Sequence, residues 1–250
     1  MRLLIDVGNT QVKYVSQATE TSSPLSDIVY LDYQDFKTRL AQGFFSHISE
    51  VILANVCGKE MHDVIQQWAS NRQIVFKSVA SEAFAFGVKS SYQQQPERLG
   101  VDRWLALIGA KQLYPLQNLL IVDAGTAMTI DILDAQGQHL GGWIMPGVQT
   151  LFNSLLTRTQ SIVATPKVAA DLSFGTDSSS GLNHGSWAMT IGAVKEAIIQ
   201  ADKLLTLDKI LITGGNGSQI SKLISDSCYL EPKLIFEGLS CFQAVSTAHL

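Results

Sequence analysis

The chain has 250 residues, 46% of them hydrophobic and 16% charged, enough to bury a sizeable core in one or two domains. A net charge of −4, with no basic arm or stripe, argues against a nucleic-acid partner. No apolar run approaches the ~20 residues of a bilayer span, so a membrane partner is not expected either.

Met1 and Arg2 lead directly into a strand-like segment, Leu3-Leu4-Ile5, with no small-residue cleavage site. Cys57, Cys228 and Cys241 are odd in number and form no CxxC pair, which suits reduced thiols in the cytoplasm. After a first hairpin, strands are expected at Ile28 to Leu31, Val51 to Asn55 and Ile74 to Phe76. Helices are expected between them, at Gln34 to Leu40 and Glu60 to Ser70.

The second half opens on its own hairpin. It continues with a third strand, His139 to Ile144, and a helix from Val148 to Leu156. A long helix is expected from Ser178 to Leu205, where Trp187, Ile191, Val194, Ile198, Ala201 and Leu205 recur on one face. That stripe suits core packing, or a seat for a partner subunit. Strand Lys209 to Thr213, a helix from Ser218 to Ser225 and a last helix from Leu239 to Ala248 close the chain.

An internal repeat organises these elements. The segment from Leu3 to Lys13 can be laid over Leu120 to Ile130, so that Asp123 lies 117 residues after Asp6. In each copy a buried-type strand delivers an Asp, a small-residue turn with Gly and Thr follows, and a second strand returns. Glycine lets backbone approach a ligand, while turn N–H groups and a Thr hydroxyl can donate to phosphate oxygens. One such turn is a weak signal; two copies imply two similar α/β domains, expected over residues 1–115 and 116–250.

Four motifs could carry chemistry. In Asp6-Val7-Gly8-Asn9-Thr10 the carboxylate can hold Mg²⁺ and the turn can cradle phosphates. Lys13, across that hairpin, either neutralises a phosphate or is a solvated strand lysine. Asp123-Ala124-Gly125-Thr126 offers a second carboxylate for a cation and a second hydroxyl for phosphate. Thr213-Gly214-Gly215-Asn216-Gly217 ends a strand and opens a helix, where a flat group such as adenine can lie on bare backbone.

Leu99-Gly100-Val101-Asp102-Arg103-Trp104 is the most individual of the four. Asp102 is placed to accept a hydroxyl proton and Arg103 to clamp a carboxylate with its planar fork. A helix start with Asp102 as N-cap is the structural alternative, and both can hold at once. The five histidines lack metal-ligand spacing, and no G-x-S-x-G elbow or G-x-x-x-x-G-K-[ST] loop is present.

In this order and spacing, Asp6-Val7-Gly8-Asn9-Thr10, Gly100-Val101-Asp102-Arg103, Asp123-Ala124-Gly125-Thr126 and Gly214-Gly215 resemble the type III pantothenate kinases. Gly141-Gly142-Trp143-Ile144-Met145-Pro146-Gly147 resembles that family's glycine-rich segment. The resemblance implies two similar actin-like ATPase (ribonuclease H-like) domains with the nucleotide site in the cleft between them. It also implies a homodimer and ATP-dependent phosphorylation of the primary hydroxyl of pantothenate, the first step of coenzyme A biosynthesis. Mg²⁺ would enter with ATP, and a monovalent cation, K⁺ or NH₄⁺, would be required.

Carried over by residue, Asp6, Val7, Gly8, Asn9, Thr10, Gln11, Val12, Lys13 and Thr126 would bind ATP, with Asp6 on Mg²⁺. Tyr92, Gly100, Val101, Asp102, Arg103 and Thr176 would bind pantothenate, with Asp102 as proton acceptor, and Asp123 would hold the monovalent cation. Two other functions share the hairpins. A nucleotide-binding switch needs neither Asp102 nor Arg103, and a sugar kinase has less use for an arginine clamp.

Overall fold

The computed structural model describes residues 1–19, 23–158, 164–166, 169–224 and 228–244. The chain forms two compact units, Met1–Tyr114 with the segment from Lys233, and Pro115–Pro232. The first crossing falls at Tyr114/Pro115, one residue before the expected division, and the segment from Lys233 goes with the first unit instead of the second.

The first unit holds β1 (Arg2–Val7), β2 (Val12–Gln17), β3 (Val29–Leu31), α1 (Tyr33–Ala41), β4 (Glu50–Asn55), α2 (Lys59–Asn71) and β5 (Val75–Ser78). A short β6–β7 ribbon (Phe84–Ala85, Val88–Lys89), a 3₁₀ turn at Pro96–Arg98 and α3 (Val101–Leu113) follow. The five-stranded sheet runs β3-β2-β1-β4-β5; β2 is antiparallel to its neighbours, and β1, β4 and β5 are parallel.

β1 is buried along its whole length, as an apolar strand covered on both faces must be. Leu3, Ile5 and Val7 share one core with Phe36, Leu40, Ile65 and Trp68 of α1 and α2. On the opposite face α3 and α7 (Leu234–Ser240) touch β1 and β4.

Two glycines bring α3 and α7 backbone to backbone. A Cβ on Gly109 would lie 2.1 Å from the Leu234 carbonyl oxygen, and one on Gly238 would lie 2.0 Å from that of Leu105. The sequence places the last helix at Leu239 to Ala248, but it runs Leu234–Ser240, with Gly238 in its interior. A mid-helix glycine weakens the helical signal, while the crossing needs one there. Residues 245–248 of the expected helix lie outside the described residues.

The returning segment is also pinned electrostatically. Arg2 is fully buried; its Nε donates to Glu50 Oε2 at 2.7 Å, Nη1 to the Gln17 side chain and the Ser240 carbonyl, and Nη2 to the Phe242 carbonyl. Glu50 Oε1 in turn accepts the Ala244 N–H at 2.6 Å.

The second unit repeats the first strand for strand. It comprises β8 (Leu119–Ala124), β9 (Ala127–Leu133), β10 (His139–Pro146), α4 (Val148–Arg158), α5 (Ser178–Asp202), β11 (Lys209–Thr213), α6 (Gly217–Ile224) and β12 (Cys228–Leu230). Its order, β10-β9-β8-β11-β12, keeps the same parallel and antiparallel neighbours.

The apolar stripe of the long helix is spent inside this unit. Trp187, Ile191, Val194 and Ala201 are buried in a core with Leu120, Val122, Met128, Ile130 and Ile212, and Ile198 packs at its edge. Leu205 falls beyond the helix, which ends at Asp202. The stripe is therefore not a seat for a partner subunit. Among the described residues, no helix is long and apolar enough to cross a membrane.

Candidate active site

The first hairpin places its two charges by register alone. Asp6 and Lys13 stand directly opposite on β1 and β2, and Lys13 Nζ lies 3.1 Å from Asp6 Oδ2. Asp6 is 3% exposed, so burial favours a cationic partner for its carboxylate. Lys13 is thus neither a free solvated lysine nor committed wholly to a phosphate. The four-residue turn Gly8 to Gln11 is closed by the Gly8 N–H on the Gln11 carbonyl at 3.1 Å. Asn9 and Thr10 stand exposed at its tip.

Asp102 lies on α3 of the same unit. The N-cap of α3 is Gly100 instead of Asp102, which occupies the second helical position. Its Oδ1 accepts the Arg103 N–H at 2.8 Å, so the carboxylate curls back over Gly100. A Cβ at position 100 would come within 2.5 Å of that Oδ1. Burial, and next the charge of Asp6, push the Asp102 carboxyl above its ordinary pKa, opposed by the Arg103 N–H and guanidinium. A half-buried carboxylate made more basic by its neighbours is suited to taking a proton.

Gly100 has φ −52°, a backbone that alanine adopts freely. Gly100→Ala should therefore fold normally yet push the Asp102 carboxylate off its position. A displacement near 1 Å can cost on the order of 10² in rate. We expect kcat to fall by at least about tenfold with an unchanged melting temperature, read by steady-state kinetics and a thermal scan.

Arg103 is 3% exposed, and its guanidinium lies 5.9 Å from the centre of the Tyr92 ring. Its Nη1 reaches the Tyr92 hydroxyl at 3.5 Å. The structure thus brings Tyr92 and Arg103 together. Tyr92 is held in turn by its own N–H on Ser90 Oγ at 3.0 Å. Val101 is buried behind this surface.

The second unit builds its hairpin turn differently. The register pairs Asp123 with Thr129 and Ala124 with Met128, so the loop is one residue shorter than in the first hairpin. Thr129, not Ile130, stands where the first hairpin has Lys13. The Thr126 carbonyl accepts the Gly147 N–H at 3.0 Å and the Thr150 hydroxyl at 2.7 Å. A Cβ on Gly147 would sit 2.1 Å from the Gly125 carbonyl oxygen. The Gly141–Gly147 segment thereby gains a physical role: its last glycine lets helix α4 dock on the Asp123–Thr126 turn.

Gly214, at φ +85°, packs closely against the same turn. A Cβ there would meet Asp123 Oδ1 at 2.4 Å and the Ala124 backbone at 2.6 Å. The Asn216 N–H bonds the Ala124 carbonyl at 3.1 Å. Asp123 is half-buried, and Thr126 is exposed.

Thr176 stands exposed just before α5, its N–H bound to Ser180 Oγ at 3.1 Å. Asp177 and Ser180 form a reciprocal capping box that starts the helix at Ser178.

Among the described residues there is no cluster of three or more His, Cys, Asp or Glu side chains fit to hold a metal by themselves. Single carboxylates at Asp6 and Asp123 suit cations that share their coordination with phosphates or backbone oxygens.

A family model described as type III pantothenate kinase matches residues 2–200. A type III pantothenate kinase of Colwellia psychrerythraea is 40% identical over 224 residues, 90% of this chain and 88% of that protein. The chain belongs to the type III pantothenate kinase family. A second relative of that name, from Pseudoalteromonas translucida, is 34% identical over 96% of this chain and 95% of its own.

Solved structures share the fold at much lower identity. One described as a Baf family transcriptional activator from Campylobacter jejuni has a TM-score of 0.61 at 23% identity, covering 96% of both chains. The ethanolamine utilization protein EutJ of Carboxydothermus hydrogenoformans has a TM-score of 0.52 at 12% identity, over 96% of this chain and 89% of its own. These likenesses and the twice-repeated five-stranded sheet give the chain the actin-like ATPase fold.

Proposed function

We propose that the protein transfers the γ-phosphoryl group of ATP to the primary hydroxyl of pantothenate, giving 4′-phosphopantothenate and ADP at the first step of coenzyme A biosynthesis. Family membership supports the reaction, and one local observation supports how it is done. A carboxylate whose pKa is raised, Asp102, is followed at once by a buried guanidinium, Arg103.

In this reading the Arg103 fork holds the pantothenate carboxylate beside Tyr92, with Gly100, Val101 and Thr176 completing the substrate's surroundings. The pantothenate hydroxyl oxygen forms a bond to Pγ as the bond from Pγ to the β,γ-bridging oxygen breaks. Asp102 takes the hydroxyl proton, and ADP leaves. Phosphoryl transfer asks the protein chiefly for such positioning and charge stabilisation.

Asp6 through Lys13 and Thr126 hold the nucleotide phosphates, Lys13 releasing part of its hold on Asp6 to do so. Asp6 would hold Mg²⁺ together with the phosphates, and the ion would supply neutralisation of their charge. Asp123 would hold K⁺ or NH₄⁺ with nearby backbone oxygens.

A cytoplasmic homodimer completes the reading. Its support lies on the side of α5 that the core leaves open, where Met189 and Ile199 are exposed beside Gly185, Ala188 and Gly192.

Arg103→Lys tests the clamp, since it keeps the charge and loses the planar fork. The loss of a charge-assisted hydrogen bond, ~1.5–3 kcal/mol, should raise KM for pantothenate by about tenfold to a hundredfold. KM for ATP should stay close to that of the unsubstituted chain. Equal changes in both constants would remove Arg103 from the pantothenate site.

A further inference from the structure

The turn of the first hairpin is held from behind by a side chain that none of the roles above includes. Helix α1 begins at Tyr33, fixed in place by Asp32, whose carboxylate accepts the Asp35 N–H at 2.7 Å. The Tyr33 hydroxyl reaches back across 25 residues and donates to the Gly8 carbonyl. Cys57 Sγ, just beyond β4, lies 3.1 Å from the same phenol oxygen.

A phenol has one proton, so once it is given to Gly8 the thiol must be the donor to Tyr33. The result is a chain from Cys57 Sγ–H to Tyr33 Oη–H to the Gly8 carbonyl. Burial, together with the neighbouring thiol, pushes the Tyr33 phenol up to about 12, so the proton on which the chain depends stays in place at any working pH.

The geometry of the peptide bond turns this anchor into a statement about the turn. In a planar trans peptide the C=O and the following N–H point in opposite directions. Fixing the Gly8 carbonyl on Tyr33 therefore fixes the Asn9 N–H on the side away from Tyr33. Asn9 is exposed, and among the described residues its N–H donates to no protein acceptor. Were the Gly8–Asn9 peptide to flip, the hairpin would present a carbonyl oxygen where it now presents an N–H, and an anion would meet the wrong end of that dipole.

We propose that Tyr33 is a positioning residue for ATP, holding the Gly8–Asn9 peptide with its N–H turned toward the nucleotide phosphates, and that Cys57 keeps Tyr33 in that orientation. The inference rests on the reading of the Asp6–Lys13 hairpin as the phosphate site, and names a part of that site that touches no substrate itself. Tyr33 also packs its ring against the first core, which Tyr33→Phe preserves.

The test is equilibrium binding of MgATP by calorimetry, with steady-state kinetics, on the full chain. Loss of one hydrogen bond, ~1 kcal/mol, should weaken MgATP binding about threefold to tenfold in Tyr33→Phe and raise KM for ATP by the same factor. KM for pantothenate should not move, and the melting temperature should fall by no more than the ~2–4 °C that one such bond is worth in a chain of this size. Cys57→Ser, which keeps a donor, should bind MgATP as the unsubstituted chain does, and Cys57→Ala should shift it in the direction of Tyr33→Phe.

MgATP binding by Tyr33→Phe as tight as by the unsubstituted chain would overturn the positioning role and leave the kinase reading standing. Parallel loss of both substrates together with a larger fall in melting temperature would make Tyr33 a structural residue only, and would overturn it too. Failure of the unsubstituted chain to bind MgATP would overturn both. If Tyr33→Phe did not fold, an unchanged MgATP affinity in Cys57→Ala would overturn the inference.

Discussion

Asp102→Asn should lower kcat by about 10²–10⁴, the range of a lost general base, while MgATP binding stays nearly unchanged. The same substitution should not cost stability, because the folded chain disfavours the charge it removes. Burial and the Asp6 carboxylate raise the Asp102 pKa in the fold. The folded state therefore binds that proton more tightly than the unfolded chain does. The sign follows from linkage: this contribution to stability declines as pH rises from the unfolded pKa through the raised folded one.

At neutral pH the ionised Asp102 is thus a net liability, and Asp102→Asn should unfold at an equal or higher urea concentration. A catalytic loss with no stability loss separates a working carboxylate from a structural cap. The kcat/KM profile of the unsubstituted chain, which reports the free enzyme, should show its acid limb above the ~3.9 of an ordinary aspartate. Near-normal turnover in the variant, or a limb at the ordinary value, would contradict this role.

Gly238→Ala should produce the largest loss of stability. Its methyl would lie 2.0 Å from the Leu105 carbonyl oxygen, and no side-chain rotation relieves a contact with backbone. Helices α3 and α7 would have to separate, opening the face that covers β1 and β4. Overpacking of this kind costs about 1–3 kcal/mol and occasionally more, and the backbone contact places this case at or above the upper end. Urea unfolding should show a lower midpoint. Because α3 begins with the Asp102–Arg103 pair, kcat should fall as well. Stability within about 0.5 kcal/mol of the unsubstituted chain would mean that the close crossing is not required.

The duplicated architecture was legible in the sequence because both hairpins combine a buried strand, an acidic residue and a glycine turn, features set by local chemistry. The loop lengths were not legible. Register depends on which backbone groups close the turn, and the second hairpin closes one residue earlier, replacing Lys13 by Thr129 in the equivalent place. The last helix was misplaced because Gly238 is poor for an isolated helix and necessary for a crossing, a tertiary demand that no local pattern carries. Asp102 looked like a cap because it is a capping residue by type, whereas Gly100 takes that position so that the carboxylate can fold back over it. Tyr33 left no signal, since its partner Gly8 is 25 residues away and a tyrosine opening an amphipathic helix reads as core. The stripe on α5 was read correctly as apolar, and only its destination, inside the second unit, needed the structure.

The central claim is that this chain phosphorylates pantothenate. The most direct measurement follows ADP and the phosphorylated product together, by coupled assay and mass spectrometry, with the full chain, MgATP and a potassium salt. The account predicts that ADP forms only when pantothenate is added, in equal amount to a product heavier than pantothenate by one phosphoryl group. ADP release at the same rate without pantothenate, or none with it, would contradict it.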